Sequence, residues 1–235
     1  MISEHQFATH YSSVWRAVTP LSDGFWTFEN KQAERIDPPL DGVAPKELRA
    51  VINETAFRTF CELHPNQRPV ANSKILSTIQ PHIQNAIEYV ARFSNAPPFK
   101  VSDISVDCRR EMLLLVVRLL SYFPSSVPTI LRPRFNGCGL LSECEGDLIA
   151  GDCLYEIKAG DRPFRVLDLR QLLTYSALAY ADNSLSFTRI GLFNPRTGVA
   201  WTRSLEDVCR SISGLMPNDT LSTLVEQFSM ASESR

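Results

Sequence analysis

The residues 146–158 constrain the fold more than any other segment of this 235-residue chain. Two short apolar runs lie on either side of the pair Gly151-Asp152. This arrangement is a signal for a β-hairpin, because glycine tolerates the positive φ of a tight turn. With Gly151 and Asp152 as the two turn residues, Ala150 pairs with Cys153, and the register of both strands follows.

The predicted register brings charged side chains together on one face of the hairpin. It sets Asp147 directly opposite Glu156, and Glu145 opposite Lys158. Because strand side chains alternate between faces, these four residues share one face. The other face then carries apolar and aromatic side chains, namely Leu148, Tyr155 and Ile157.

Two directly opposed carboxylates destabilise a sheet unless a cation compensates their charge. Mg²⁺ suits this position, since it binds one or two carboxylates together with waters and phosphate oxygens. Lys158 would add a positive charge able to activate a water or to stabilise charge on a phosphate. A solvated hairpin with ordinary surface ion pairs is the alternative, and the spacing alone does not exclude it.

The order Asp147, Glu156-Ile157-Lys158 resembles the motif of the PD-(D/E)XK nuclease superfamily. Gln171 and Tyr175, thirteen residues beyond Lys158, resemble the QxxxY helix motif of its RecB-like members. The resemblance implies an α/β fold with a restriction-endonuclease-like core, in which helices flank a central mixed sheet. It covers residues 102–213.

The resemblance also implies roles for these residues. Asp147, Glu156 and the carbonyl of Ile157 would bind Mg²⁺, for which Mn²⁺ would substitute, and Lys158 would be the catalytic lysine. Gln171 and Tyr175 share a helix face at i and i+4 and would orient the substrate strand or the lysine. Apart from the resemblance, three arginines beside the motif could bind phosphate or be ordinary surface residues: Arg162, Arg165 and Arg170. Two structural roles remain open: Gln171 as the partner of an Asp168 helix cap, and Tyr175 as a core aromatic.

Two features depart from the family pattern, and a third observation concerns its iron–sulfur members. Gly146 stands where the nominal motif has proline, and the helix before the strands offers only Glu111 as an additional acid. Glu111 is equally explained as a solvated helix residue, and Glu145 is a second candidate for an additional acid. Only one cysteine, Cys209, follows the QxxxY segment, so we expect no iron–sulfur cluster.

Composition restricts the class of protein. Hydrophobic residues make up 44% and charged residues 21%, which are values of a globular and not a disordered chain. The net charge of -2 disfavours a protein that coats nucleic acid, so contact with DNA should be local. The chain shows no secretory signal and no membrane-spanning run, and we expect a cytoplasmic protein.

The apolar periodicity predicts three regions. Residues 1–100 form a mainly helical extension, residues 101–215 the nuclease core, and residues 216–235 a C-terminal helix and frayed tail. Within the extension we predict helices at 45–63 and 73–93, a break at 95–98 and a short strand at 25–28. The core should contain a helix at 102–122, then strands at 130–135, 145–150 and 153–158, a helix at 169–181, strands at 187–193 and 199–202, and a helix after Ser204.

The favoured hypothesis is a metal-dependent nuclease that hydrolyses phosphodiester bonds in DNA, in bacterial defence or DNA processing. One alternative is a non-catalytic subunit that keeps the nuclease fold for assembly, with a protein partner or a second copy bound through the N-terminal helices. Another is an RNase or toxin on the same scaffold.

Overall fold

The structure, a computed structural model, describes residues 1–42, 44–65, 70–92 and 99–233, with side chains through residue 230. It is an α/β protein. Its α-helices are α1 Glu4–His10, α2 Ser12–Val18, α3 Ser22–Glu29, α4 Arg49–Leu63, α5 Asn72–Ala91, α6 Val106–Tyr122, α7 Val166–Asp182, α8 Leu205–Ser213 and α9 Pro217–Glu233. Its strands are β1 Glu34–Arg35, β2 Thr129–Leu131, β3 Arg134–Phe135, β4 Cys144–Glu145, β5 Leu148–Ala150, β6 Cys153–Ile157, β7 Arg189–Asn194 and β8 Val199–Ser204.

Six strands form one mixed sheet in the order β1-β8-β7-β6-β5-β2, and β3 pairs with β4 separately. Strands β6 and β7 run parallel, which requires a crossover, and α7 provides it. The other neighbours in the sheet run antiparallel. A six-stranded mixed sheet with flanking helices therefore confirms the expected fold class at this level.

The hairpin register predicted from Gly151-Asp152 is confirmed. Strand β5 pairs with β6 antiparallel, and Ala150 lies opposite Cys153 as expected. Gly151 has φ +60°, the left-handed conformation that a tight turn requires. The remaining pairs are Ile149 with Leu154 and Leu148 with Tyr155.

Side-chain alternation divides the sheet into two buried faces. Leu154 and Leu192 belong to the cluster that packs against Leu172 and Leu173 of α7. Glu156 is two residues beyond Leu154 in the same strand and pairs with Leu192 of β7, so its side chain points to the same face as theirs, the α7 face. The opposite face packs against α4 and α6 through Leu148, Phe193, Phe60, Leu119 and Phe123.

The N-terminal part packs against the sheet and its helices. The helix predicted at 45–63 is present as a 3₁₀ turn, Lys46–Leu48, followed by α4, and the one predicted at 73–93 is α5 through Ala91. Arg92 caps the C-terminal end of α5, whereas Phe93 and the predicted break at 95–98 lie outside the described residues. The strand predicted at 25–28 is wrong, since these residues lie in α3. There the ring of Trp26 packs against that of Trp201 of β8, with 4.9 Å between the ring centres.

The first hundred residues also contribute to the sheet and to its hydrophobic core. Strand β1 joins the sheet edge next to β8, while Phe7 and Trp15 belong to the same core cluster as α7 and α9. The boundaries near residues 100 and 215 stay predictions.

Two expectations about element ends are wrong. The strand predicted at 130–135 is interrupted, because Arg132 has φ +50° and Pro133 follows it, and the segment splits into β2 and β3. The tail expected to fray from Ser229 continues α9 as far as Glu233. None of the helices in the described ranges has the length and apolarity to cross a membrane.

Candidate active site

The candidate site lies where β5 and β6 meet the N-terminal half of α7. Asp147 immediately precedes β5, Glu156 is the penultimate residue of β6, and Lys158 follows that strand directly. The backbone N–H of Lys158 still donates to the carbonyl of Phe193, at 2.9 Å, so the sheet fixes the start of its side chain. The hairpin and the crossover helix together bring the residues of the predicted motif into one place.

Lys158 is the centre of a buried polar network. Its Nζ lies 3.0 Å from Oε1 of Glu156 and donates at 2.7 Å to Oε1 of Gln171. A second carboxylate, Asp168, lies 3.9 Å away. The lysine is thus held as a cation among two carboxylates and an amide, and these groups set the direction of its ammonium group.

Asp147 is anchored by the neighbouring strand. The backbone N–H of Ile157 donates to Oδ2 of Asp147 at 2.6 Å, and the backbone carbonyl of Asp147 accepts from the backbone N–H of Arg132 at 2.9 Å. The paired residues of the hairpin ladder begin at Leu148, so Asp147 lies just beyond them. The prediction that Asp147 and Glu156 form a directly opposed, uncompensated pair therefore changes: Asp147 lies beyond the ladder, and a backbone amide satisfies one oxygen of its carboxylate.

Burial and mutual repulsion perturb both carboxyl groups. Burial raises the pKa of Asp147 well above its usual range, and the charge of Glu156 raises it further, against the opposing hydrogen bond from Ile157. Burial likewise raises the pKa of Glu156, although Lys158 acts in the other direction. The pKa of Lys158 is raised because the attraction of Glu156 and Asp168 outweighs its burial.

Helix α7 presents Gln171 and Tyr175 to this network. Nε2 of Gln171 donates to the Tyr175 hydroxyl at 2.9 Å, while its Oε1 accepts from Lys158. The capping alternative for Gln171 is wrong, because α7 begins after Arg165 and the carboxylate of Asp168 caps the Arg165 amide at 2.7 Å. Tyr175 is also a core aromatic, with its ring centre 4.9 Å from that of Phe135. Its orienting role stays a prediction.

Two predicted residues do not join the network. Arg170 is buried beside α2 and α3, with its guanidinium 5.8 Å from the ring centre of Trp15 and 3.8 Å from Asp23. Glu111 is neither at the site nor solvated, since its buried carboxylate forms an ion pair with the equally buried Arg196. It also accepts from the backbone of Ala44 at 3.4 Å.

Glu145 also differs from its predicted position. Its expected pairing with Lys158 is wrong, because Glu145 lies in β4 opposite Arg134 of β3. Its carboxylate turns to Arg132 at 3.0 Å. Only its backbone approaches the network, through a 3.4 Å contact between its carbonyl and the Tyr175 hydroxyl.

The structure adds residues that sequence reasoning missed. Glu54 of α4 lines a cavity of about 620 Å³ together with Asp147 and Ile157. Its Oε1 lies 2.6 Å from Arg58 and 3.8 Å from Arg132. No local sequence pattern distinguishes Glu54, because Glu54 and Asp147 are separated by about ninety residues in the chain. For Asp168, the sequence offers the spacing to Gln171, which predicts a helix cap but does not predict the approach of Asp168 to Lys158.

The donor set is suitable for a hard divalent cation. Oε2 of Glu156 is buried and has no hydrogen-bond partner among the described residues, so one oxygen is left for a ligand. Asp147 keeps its second oxygen, and both carboxyls would be ionised more readily beside a cation. In the described ranges, no group of three or more His, Cys, Asp or Glu side chains is placed to hold a metal ion. Mg²⁺ binds through one or two carboxylates and retains waters.

Comparisons with known proteins do not add to this picture. No family model matches the chain, and a search of curated proteins finds no match. The relation to PD-(D/E)XK nucleases is therefore a resemblance that depends on the residues and their arrangement.

Proposed function

We propose that this protein is a metal-dependent nuclease that hydrolyses phosphodiester bonds in DNA, on a sheet of the restriction-endonuclease-like kind. The observation that carries the proposal is the contact of Lys158 with both Glu156 and Gln171, at 3.0 and 2.7 Å. Residues of the strand motif and of the helix motif, which the chain separates by thirteen positions, meet at one ammonium group.

In this proposal, Asp147 and Glu156 hold Mg²⁺ or Mn²⁺, which when bound would polarise the phosphate and lower the pKa of a water. The free Oε2 of Glu156 and the second oxygen of Asp147 supply the protein's ligands. Lys158 places a fixed positive charge beside the reacting phosphate, where charge increases in the transition state. Gln171 orients Lys158, and Tyr175 orients Gln171.

The cavity next to Asp147 supports a nucleic-acid substrate. Its volume of about 620 Å³ is within the range of ligand sites, and its lining includes the rings of Phe57 and Tyr89 beside Asp147, together with the carboxylates of Glu47 and Glu54. Aromatic side chains beside a scissile phosphate offer stacking surfaces to bases. The guanidinium of Arg132 lies 5.4 Å from the ring centre of Phe57, one of the lining residues.

The direct test is incubation of the purified protein with linear, supercoiled and single-stranded DNA, and with RNA, in Mg²⁺ or Mn²⁺. We expect metal-dependent cleavage of DNA that EDTA stops and that Asp147→Ala abolishes. Asp207→Ala is a matched control, because it removes an exposed carboxylate on α8 outside the network. Cleavage that survives Asp147→Ala would overturn the assignment, and cleavage restricted to RNA would replace DNA as the substrate.

A further inference from the structure

A second cavity, which we call the basic pocket, lies on the other side of the loop that follows Lys158. It has a volume of about 660 Å³, within the range of small-molecule sites. The N-terminal part of the chain, the loop after β6 and the turn between β7 and β8 all contribute to its wall. Its charged lining residues are Lys31, Arg35, Arg49, Arg162, Arg196 and Asp161.

Five cations and one carboxylate in this wall contrast with a chain whose net charge is -2. Three of the cations have carboxylate partners. Arg49 pairs with Asp161. Two further partners are outside the lining: Arg162 makes two contacts with Asp168, at 2.7 and 2.8 Å, and Arg196 pairs with Glu111. Arg196 also lies 3.9 Å from Asp161.

Two cations remain without a carboxylate partner. Neither Lys31 nor Arg35 has an ion pair within the part of the chain that the structure describes, and Arg35 donates only to the carbonyl of Thr197, at 3.1 Å. Both side chains are exposed and therefore available to a ligand. A phosphate monoester carries a charge of about -1.5 to -2 at neutral pH, which two such cations would balance.

Hydrogen bonds fix the wall of the basic pocket before any ligand binds. Arg196 is 2% exposed, and it donates to the carbonyl of Ala159 at 2.8 Å and to Asn53 at 2.8 Å. Asn194 donates to the carbonyl of Gly160 at 2.7 Å. Asn30 bonds the carbonyl of Phe164 at 3.1 Å, which ties the N-terminal part to the same loop. A preformed wall lowers the ordering cost of binding.

The rest of the lining is partly apolar. Besides the polar residues Asn30, Asn194 and Thr197, it contains the apolar side chains of Leu40, Pro163, Phe164 and Val199. Inorganic phosphate alone would leave this surface uncovered. A ligand with a weakly polar body and a phosphate would match both the cations and the apolar side chains of the basic pocket, and a nucleoside monophosphate unit has this composition.

We propose that the basic pocket binds the phosphate monoester of a nucleotide, with Lys31 and Arg35 contacting the phosphate and the apolar side chains contacting the nucleoside. The nucleotide is either a free monophosphate or the phosphorylated end of a strand, and both present the same chemistry. The site is separate from the candidate active site, because the loop 159–164 and the Asn53–Ala159 hydrogen bond, 3.0 Å, lie between the two cavities.

Calorimetric titration in EDTA tests this site without any cleavage, so its failure and that of the nuclease assignment are distinguishable. The ligands are deoxyadenosine 5′-monophosphate, deoxyadenosine, inorganic phosphate, and a short oligodeoxynucleotide with either a 5′-phosphate or a 5′-hydroxyl. We expect the monophosphate or the phosphorylated strand to bind at least about tenfold more tightly than its unphosphorylated form and than phosphate alone. Binding of the strand without the mononucleotide would identify a strand end as the source.

The double variant Lys31→Ala/Arg35→Ala should weaken this binding by about tenfold or more. The matched control Lys74→Ala/Arg16→Ala removes the same two residue types from exposed positions on α5 and α2 and should bind as the wild type does. Lys31→Ala alone serves if the double variant does not fold. Equal affinity for phosphorylated and unphosphorylated ligands, no binding by the wild type, or no effect of the pocket variants would overturn the proposal.

Discussion

The backbone N–H of Ile157 donates a 2.6 Å hydrogen bond to Oδ2 of Asp147, across the open end of the hairpin. The bond uses one oxygen of the carboxylate as an acceptor, while burial and the charge of Glu156 disfavour its ionised form. Acceptor and charge can therefore be separated by mutation, since asparagine keeps the acceptor and removes the charge.

Asp147→Asn should leave the metal-free protein as stable as the wild type or more stable, by an amount on the order of 0.5 kcal/mol. Asp147→Ala should be destabilised by about 1–3 kcal/mol, because the Ile157 amide then loses its acceptor. Thermal melts in EDTA compare the three proteins. Adding Mn²⁺ should raise the melting temperature of the wild type and of neither variant. An asparagine variant as unstable as the alanine variant would show that the charge itself is favourable.

The stability of the metal-free protein should depend on pH through Asp147 and Glu156. Folding raises the pKa of both carboxyl groups. At pH values between the pKa of an unfolded carboxyl group and the raised pKa of the folded one, the folded state therefore binds more protons than the unfolded state. The wild type should then lose stability as pH rises above about 4, the ordinary carboxyl range, towards the raised values. Urea unfolding of the wild type and Asp147→Asn across this interval measures the effect. A gap between them that does not widen with pH would contradict the perturbed pair.

Lys158→Ala should abolish cleavage and leave Mn²⁺ affinity largely intact, because the ammonium is not a metal ligand. The variant should also lose stability in EDTA, by about 1–3 kcal/mol, since Glu156 and Gln171 lose a buried donor. Lys74→Ala on α5 is the matched surface control. Turnover at the wild-type rate would mean that another group activates the water.

Gln171→Ala and Tyr175→Phe should slow cleavage by about 10- to 100-fold, less than loss of Asp147, because they act through the position of Lys158. The effect should appear in kcat with KM little changed. Ser176→Ala is the matched control, since Ser176 is buried on the same helix and its hydroxyl donates to the Leu172 carbonyl, at 2.8 Å. If all three variants slow cleavage equally, the packing of α7 and not the orientation of Lys158 is responsible.

Glu111→Ala should lower stability by about 3–5 kcal/mol, because the buried Arg196 loses its buried carboxylate partner and keeps only the half-exposed Asp161, at 3.9 Å. Cleavage per folded molecule should stay close to that of the wild type. Urea unfolding together with activity corrected for the folded fraction separates the two roles. Loss of activity at unchanged stability would return Glu111 to the active site.

The sequence predicted the local parts of this structure well. The turn at Gly151-Asp152 fixed the hairpin register, and an i, i+4 spacing placed Gln171 and Tyr175 on one side of α7. These features depend on turn conformation and helix periodicity, which a few neighbouring residues determine. The contact of Lys158 with Gln171 followed from the family resemblance.

Long-range packing was not accessible in the same way. Arg132, with its positive φ, ends β2 and turns its side chain to Glu145, which removes the expected Glu145–Lys158 pair. Glu111 forms an ion pair with Arg196, which is 85 positions further along the chain. Glu54 of α4 lines the same cavity as Asp147. Each of these contacts is set by how helices and sheet pack, and no short window of sequence contains both partners.

Glu156→Gln tests the central claim most directly, because it keeps an acceptor for Lys158 while removing the charge that would hold the metal. The measurement is the initial rate of DNA cleavage as a function of Mn²⁺ concentration, for the wild type and this variant side by side. We predict a saturable, metal-dependent rate for the wild type and loss of at least about a hundredfold in the variant at every concentration. Equal rates in the two proteins, or a wild type that never cleaves DNA, would contradict the account.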